Sequence, residues 1–357
     1  MEDAYGLGNT LADPKDAKVD IVFVHGLNGN RVTTWTSDPS DENPISVFWP
    51  RDLLPSKCPN ARILSFGYNA SIAHFYPLFG PKHVPPTTTI DNHSSALFDD
   101  LIGLRTRTSS TDRPLIFVAH SLGGIVCANA VSKQLGVDAA KKDLIAKVCG
   151  MIFLGTPFAG AKQARWAEIA TKLMSVISTT NADLIKDLEE RSKALVEINN
   201  NFAQLIKARD RTPPWIEIAC YFEGLPTYVK KKSIGFIVDK ASATLPGIAP
   251  VSIEKNHASM PKFDGEYRPG FISISDKLFR WIQDLDRKAA ENQTAGGVNI
   301  GSTNYHAPIS NNRGVVTAAI VSTQKHGLRV VGSHITYNYG EKRNQSSSDS
   351  DEDDTQC

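Results

Sequence analysis

Net charge is almost absent: 39 Lys and Arg stand against 38 Asp and Glu in 357 residues, a formal +1. A field that weak advertises no nucleic-acid partner. Paired cysteines are lacking as well. The five cysteines, Cys58, Cys127, Cys149, Cys220 and Cys357, are odd in number and have no short spacing, which argues against a disulfide framework and against a zinc site. They read as small apolar core residues in a reducing compartment. MEDAYGLGNTLADPKDAK at the N-terminus has no basic n-region and no apolar h-region, so no secretory signal is expected. No uncharged apolar run approaches the roughly 20 residues of a membrane helix. The expectation is an intracellular, cytoplasmic chain for which peripheral membrane contact stays open.

What is present is organised around PLIFVAHSLGG, residues 114–124, where an apolar run stops at a serine among small residues. Leu115 to Val118 suit a strand covered on both faces, and the run after Gly124 suits a helix packing back on it. Ser121 sits at the bend. A nucleophile elbow needs small side chains two before and two after the serine, because the turn crowds them against backbone; Ala119 and Gly123 meet that need, with Gly124 beside them. A plain helix N-cap serine would fit the same five residues. The partners decide.

Around this stretch, strands and helices alternate. VDIVFVHGLNGN is a buried strand ending at His25-Gly26, a loop that in serine hydrolases offers a backbone N–H to a developing oxyanion, with Gly26 allowing close approach. WTSDPSDENPISVFWPRDLLP reads as a polar loop and an amphipathic helix, its tryptophans Trp35 and Trp49 serving packing. ARILSFGYNA is a second strand. The Pro- and aromatic-rich segment after it reads as a wall of the substrate entrance or a loop burying Phe75, Tyr76 and Phe79. Ile90, Ser94, Leu97, Leu101 and Leu104 mark a helix capped by Thr89 or Asp91. KVCGMIFLGTPFAG is the strand after the elbow helix, and a helical insertion over 161–209 follows it, either capping the site or packing on the sheet. PWIEIACYFEG and SIGFIVDKASA read as two further strands, and ISISDKLFRWIQDLDRK as a closing helix. The pattern predicts one α/β domain over 19–290, mostly parallel with helices on both faces, after a flexible lead-in at 1–18.

A serine hydroxyl attacks at neutral pH only when a histidine takes its proton and an acid holds that histidine's tautomer. Ser121, an acid and His257 follow strand ends in the chain order of an α/β hydrolase. Within 19–290, His257 is the one histidine after the final predicted strand. His120 adjoins the nucleophile but points away at an elbow, and His25 belongs to the oxyanion loop. Spacing leaves the acid open between Glu223 and Asp239. Counting strands favours Glu223, because the acid normally follows the second strand after the nucleophile; Asp239 is then a turn residue before Ser242.

VFVHGLNG, TWTSD, FWPRDLLP, VAHSLGGIV, GMIFLGTPFAG, FEGLPTY, VDKASATL and NHASMPKF together resemble the serine-active-site-containing lipase-like hydrolases. They are also similar to the hydrolase domains that fungi place before NACHT modules or encode as separate effectors. The resemblance runs from Val19 to about Arg287. It implies an α/β-hydrolase fold and a lipase- or esterase-like carboxylic-ester hydrolase with Ser121 as nucleophile, His257 as base and Glu223 as acid. It further implies an oxyanion hole from the N–H groups of Leu27 and Leu122, with Gly26, His120, Gly123 and Gly124 as support. Asp239 departs from the Pro that many relatives carry at that place. The implied partner is an ester or lipid, with no metal or cofactor, and some relatives associate with mitochondrial or endoplasmic-reticulum membranes.

After Gly296 the composition turns to Gly, Asn, Ser, Thr and Val. VVTAAIVST has the steric-zipper signature, rich in β-branched residues without charge or proline. Residues 296–340 resemble the amyloid motifs of fungal signalling proteins of the HET-s and sigma type, which implies self-assembly or an NLR-type receptor as partner in a cell-death pathway. SSSDSDEDDTQC closes the chain as a disordered acidic tail over 341–357. Two competing expectations are a signalling adaptor on a hydrolase scaffold and a metabolic lipid esterase.

Overall fold

A strand covered on both faces must be apolar at nearly every position, and the central strands of this chain meet that condition. The structure, a computed structural model, describes residues 5–40, 44–70, 86–133, 138–158, 163–176, 183–209, 215–295, 319–324 and 327–332. It forms two compact units, one ending at Gly297 and one starting at Val298. The first unit contains β1 (Gly6–Leu7), β2 (Val19–Val24), β3 (Ala61–Gly67), β4 (Leu115–His120), β5 (Val148–Leu154) and β6 (Glu217–Glu223). An outlying hairpin of β7 (Thr227–Val229) and β8 (Lys232–Gly235) precedes β9 (Val251–Ile253). The main sheet runs β1-β3-β2-β4-β5-β6-β9 and is parallel except for β1. Every residue of β2, β3 and β4 is buried. The strand that carries Ser121 therefore lies in the middle of the sheet.

The helices are α1 (Trp49–Asp52), α2 (Leu54–Lys57), α3 (Pro86–Arg107), α4 (Leu122–Ser132), α5 (Ala139–Lys147), α6 (Gln163–Val176), α7 (Asp183–Arg209) and α8 (Pro269–Ala295). Successive side chains leave a strand on opposite faces, so the sheet divides its apolar residues between two cores. Val22, Val24, Phe117 and Ala119 cluster with Leu97 and Phe98 of α3, Ile125 of α4 and Phe202 of α7. Ile21, Phe23, Ile116 and Val118 cluster with Trp49, Phe271, Ile274 and Leu278, the last three from α8. Trp35 and Trp49 are fully buried, each with its ring centroid 5.0 Å from that of Phe23 in an edge contact, so both serve packing. This is the α/β-hydrolase arrangement, with a helical insertion, α6 and α7, after the strand that follows Ser121.

Several expectations change. The lead-in at 1–18 is not free along its length: Gly6 and Leu7 pair with Gly67 and Phe66, and Ala12 bridges to Ile63. Leu7, Leu11 and Ala12 pack on the two cores, which fixes the segment to the sheet edge. The amphipathic helix near Trp49 is two single turns, divided at Leu53. Helix α3 starts at Pro86, so Asp91 lies inside it rather than capping it, and its carboxylate accepts from Asn129 Nδ2 at 2.9 Å. SIGFIVDKASA is not a strand of the main sheet: its Ser233–Gly235 part belongs to the β7–β8 hairpin, and the third main-sheet strand after Ser121 is β9. Leu195, Ile198 and Phe202 of α7 join the core that holds Val126 and Cys127 of α4, so this end of the insertion packs on the body of the domain. Cys58, Cys127 and Cys220 are buried free thiols and Cys149 is half-buried. Phe75, Tyr76 and Phe79 fall outside the described residues. In the second unit, β10 (Ala319–Gln324) and β11 (Gly327–Gly332) pair antiparallel; the rest of 296–340, and 341–357, lie outside the described residues.

Candidate active site

The chain turns from β4 into α4 through one residue. Ser121 takes φ +52° and ψ −125°, a conformation that costs a non-glycine residue free energy and persists only when its surroundings enforce it. The enforcing contacts are backbone. Ser121 N–H donates to Leu154 O at 2.9 Å, and Gly124 N–H donates to Ser121 O at 3.0 Å. A Cβ on Gly123 would lie 2.2 Å from His25 O and 2.6 Å from Val24 O, and one on Gly26 would lie 2.7 Å from Ser121 Cβ. Neither position tolerates a side chain. Gly124 is closed by Thr156, whose Oγ1 would sit 2.0 Å from an added Cβ.

His257 lies on the loop after β9, in a turn held by Asn256, whose Oδ1 accepts from Ser259 N–H at 3.0 Å. Its Nε2 is 3.0 Å from Ser121 Oγ and its Nδ1 is 3.1 Å from Glu223 Oε1. Ser121, His257 and Glu223 are all buried. With Glu223 ionised, the ring carries its proton on Nδ1 and offers Nε2 as acceptor to the serine hydroxyl. Glu223 stands at the end of β6 and accepts from Val238 N–H through the same Oε1. Its Oε2 is buried and has no hydrogen-bond partner among the described residues. Gly155, at φ +56°, leaves room for the imidazole: an added Cβ would meet His257 Nδ1 at 3.1 Å.

Of the two carboxylates left open by spacing, Glu223 is the one beside His257. Asp239 pairs with Arg165 and accepts from Ser242 N–H at 2.9 Å. Burial raises its pKa, but the Arg165 and Ser242 hydrogen bonds outweigh that and hold it below the ordinary carboxylate range. It is a turn residue with a fixed partner. His120 does not simply point away: Nε2–H donates to the carbonyl of His257 at 3.0 Å, and the two rings are 5.0 Å apart. Burial, with a smaller contribution from His257, lowers its pKa well below the ordinary value and keeps it neutral.

The other flank is equally built. His25 stacks on Tyr68 with centroids 4.5 Å apart; its Nδ1–H donates to Gly26 O at 3.0 Å, and its Nε2 accepts from Tyr68 N–H at 3.2 Å. Tyr68 O–H in turn donates to His25 O at 2.9 Å. Burial moves the His25 pKa to about 4, so the imidazole is neutral and clamps the loop that carries Leu27. Leu122 is the first residue of α4, where helix geometry leaves its N–H without an intrahelical acceptor. Tyr68 and Gly155 close strands in the sequence, at SFGYN and GTP, but their contacts at the site, like that of Val238, have no sequence signal of their own. Among the described residues no cluster of three or more His, Cys, Asp or Glu is placed to hold a metal ion.

Residues 89–212, which include Ser121, match the family model described as "Putative serine esterase (DUF676)". Protein SERAC1 of Danio rerio is 27% identical over 263 residues, 69% of this chain and 36% of its own length. Protein SERAC1 of Homo sapiens is 25% identical over 261 residues, with the same two coverages of 69% and 36%. The chain thus spans less than half the length of these relatives. Among solved structures, the Bacillus licheniformis lipase BlEst2 in mature form is similar at TM-score 0.41 and 17% identity, covering 75% of this chain and 96% of that one. A hormone-sensitive lipase from a metagenome library gives TM-score 0.40 at 17% identity, covering 78% and 84%. Strand order, the elbow and the placement of Ser121, Glu223 and His257 give this chain the fold of the lipase-like α/β hydrolases.

Proposed function

We propose that the chain hydrolyses carboxylic esters through a covalent acyl-serine. The observation that carries this is the continuous hydrogen-bond chain from Ser121 Oγ through His257 to Glu223. His257 Nε2 takes the Ser121 proton as Oγ bonds to the ester carbonyl carbon, and the N–H groups of Leu27 and Leu122 receive the oxyanion. Collapse breaks the bond to the alkoxide, which leaves with the proton from His257. Water then gives its proton to Nε2 and attacks the acyl carbon, and Ser121 departs with that proton. Glu223 holds the tautomer throughout. The match to a serine esterase model around Ser121 supports the reading. A panel of p-nitrophenyl esters of increasing acyl length tests it: wild type turns over at least one member and Ser121→Ala none. Equal turnover by both proteins, or none by the wild type, contradicts it.

A second reading concerns residues 296–340, proposed as a self-assembly or receptor-docking motif that makes the chain an effector of an NLR-type pathway. The β10–β11 hairpin within this segment supports it, since among the described residues neither of its edges pairs with a further strand. Deletion of 296–340 then abolishes a cell-death phenotype and spares ester turnover in solution. If Ser121→Ala leaves that phenotype intact, the domain is an adaptor scaffold; if the deletion leaves it intact, the esterase acts in metabolism and the motif is dispensable.

A further inference from the structure

The β7–β8 hairpin stands where it can affect the site. Its two ends are bracketed by Glu223 and by Val238, whose N–H donates to that carboxylate. The register pairs Val229 with Lys232, leaving Lys230 and Lys231 as the two central turn residues, at φ +47° and +67°. A two-residue turn with positive φ at both positions is where Asn and Gly are favoured, and a long L side chain is strained there. This turn instead carries lysine at both, followed by a third at Lys232. All three are exposed. Leu225 is 47% exposed, Tyr228 62% and Phe236 39%, so an exposed apolar set flanks the lysines, while Thr227 is buried and Ile234 packs on the core.

The charge of this segment is one-sided, and the acid beside its base, Glu254 next to Gly224, accepts from Ser252 Oγ at 2.9 Å. No acidic residue occurs between Glu223 and Asp239, and Asp239 is engaged by Arg165. On the neighbouring helix, Lys172 reaches the Phe236 carbonyl at 3.0 Å and pairs with Glu168 at 2.7 Å, so the element packed against the hairpin adds no free acid of its own at this contact. We propose that this hairpin is a docking element for an anionic lipid surface, with Lys230, Lys231 and Lys232 at the headgroups and Leu225, Tyr228 and Phe236 in the interfacial layer. An acidic protein would match the lysines alone; an anionic bilayer matches the lysines and the exposed apolar trio together. Tyrosine suits the boundary, with an apolar ring and a polar tip. Docking would set the ends of β4, β6 and β9 near the membrane and present Ser121 to lipid esters. Only that last consequence rests on the proposed ester hydrolysis.

The test is sedimentation of the full chain with vesicles of phosphatidylcholine alone and of phosphatidylcholine with 30 mol% phosphatidylserine. Wild type binds the anionic vesicles and not the neutral ones. Lys230→Ser with Lys231→Ser and Lys232→Ser lowers the anionic binding about a hundredfold, near fivefold per lysine. Tyr228→Ser with Phe236→Ser lowers it as well, and high salt does not restore the difference. No binding by wild type, or equal binding by wild type and the lysine variant, overturns the proposal. So does loss in the lysine variant with full binding in the Tyr228 and Phe236 variant, which marks a charge-only surface of the kind an acidic protein uses. Equal urea midpoints of all three proteins certify that the variants are folded, and fluorophosphonate labelling of Ser121 without vesicles reads the proposed ester chemistry separately. If none of them labels, ester hydrolysis falls while the vesicle result stands.

Discussion

The two ends of the central strands are built on opposite principles. At the N-terminal end, Asp20 of β2 is fully buried and receives both Arg62 Nε and Nη2, at 2.9 and 2.8 Å, with Arg105 Nη1 at 2.6 Å and Arg113 Nη1 at 2.9 Å. Arg62 also reaches Thr108 and Ser110, and Arg105 reaches two backbone carbonyls. Every polar atom of the Asp20 carboxylate is used. At the C-terminal end, Ser121 is in a strained conformation and one oxygen of the buried Glu223 goes unpaired among the described residues. One end is arranged to tie α3, β2, β3 and the segment before β4 together; the other holds strain and an orphan acceptor at the residues proposed to carry the chemistry. Stability and the proposed chemistry are thereby separated along the same strands.

That separation can be broken experimentally, beginning with the largest effect. Glu223→Gln removes the charge that holds the His257 tautomer and lowers kcat by about 10⁴. Asp239→Asn leaves kcat within a few-fold, because its carboxylate serves Arg165 and Ser242. The reverse order in steady-state turnover would refute the assignment. Asp20→Asn leaves three guanidinium groups without their counter-charge and destabilises the domain by about 3–5 kcal/mol in urea unfolding, while the folded fraction keeps its Ser121 reactivity. Loss of reactivity with unchanged stability would show the two ends are not separate.

Acid sharpens the contrast further. The unfolded chain binds a proton at His25 below about pH 6.5 that the folded chain refuses until about pH 4. Stability therefore falls as pH drops through that window, by about 3 kcal/mol from this group, and His25 contributes no slope above it. His120, also lowered, acts in the same direction. Urea midpoints at pH 7 and pH 4.5 should differ accordingly, and His25→Gln should flatten the difference. A midpoint that does not move contradicts the neutral, buried clamp.

Much of this was legible in the sequence, for reasons that also explain the misses. Strands β2 to β5 are buried on both faces, so near-continuous apolar runs betrayed them, and the small residues at Ala119 and Gly123 betrayed the turn. The placement of His257 beside Ser121 was legible by chain order, and that of Glu223 beside His257 by counting strands. Strand β9 was not, because three residues, two of them exposed, carry no period. SIGFIVDKASA misled because its apolar residues have different roles: Ile234 of the hairpin packs partly buried on the core, Phe236 just after it is exposed, and Ile237 and Val238 are buried, with Val238 N–H on Glu223. The lead-in was misread because its sparse apolar residues, Leu7, Leu11 and Ala12, gain their meaning only from the sheet edge they meet. The double role of His120, before the nucleophile in sequence and on the His257 carbonyl in space, is a long-range contact that no local pattern encodes.

The central claim is that Ser121 is a nucleophile made reactive by His257. Reaction of the full chain with a fluorophosphonate probe, followed by peptide mapping, tests it most directly. The account predicts a single adduct on Ser121, lost in Ser121→Ala and slowed by orders of magnitude in His257→Asn. An adduct elsewhere, or labelling of Ser121→Ala at the wild-type rate, would contradict it.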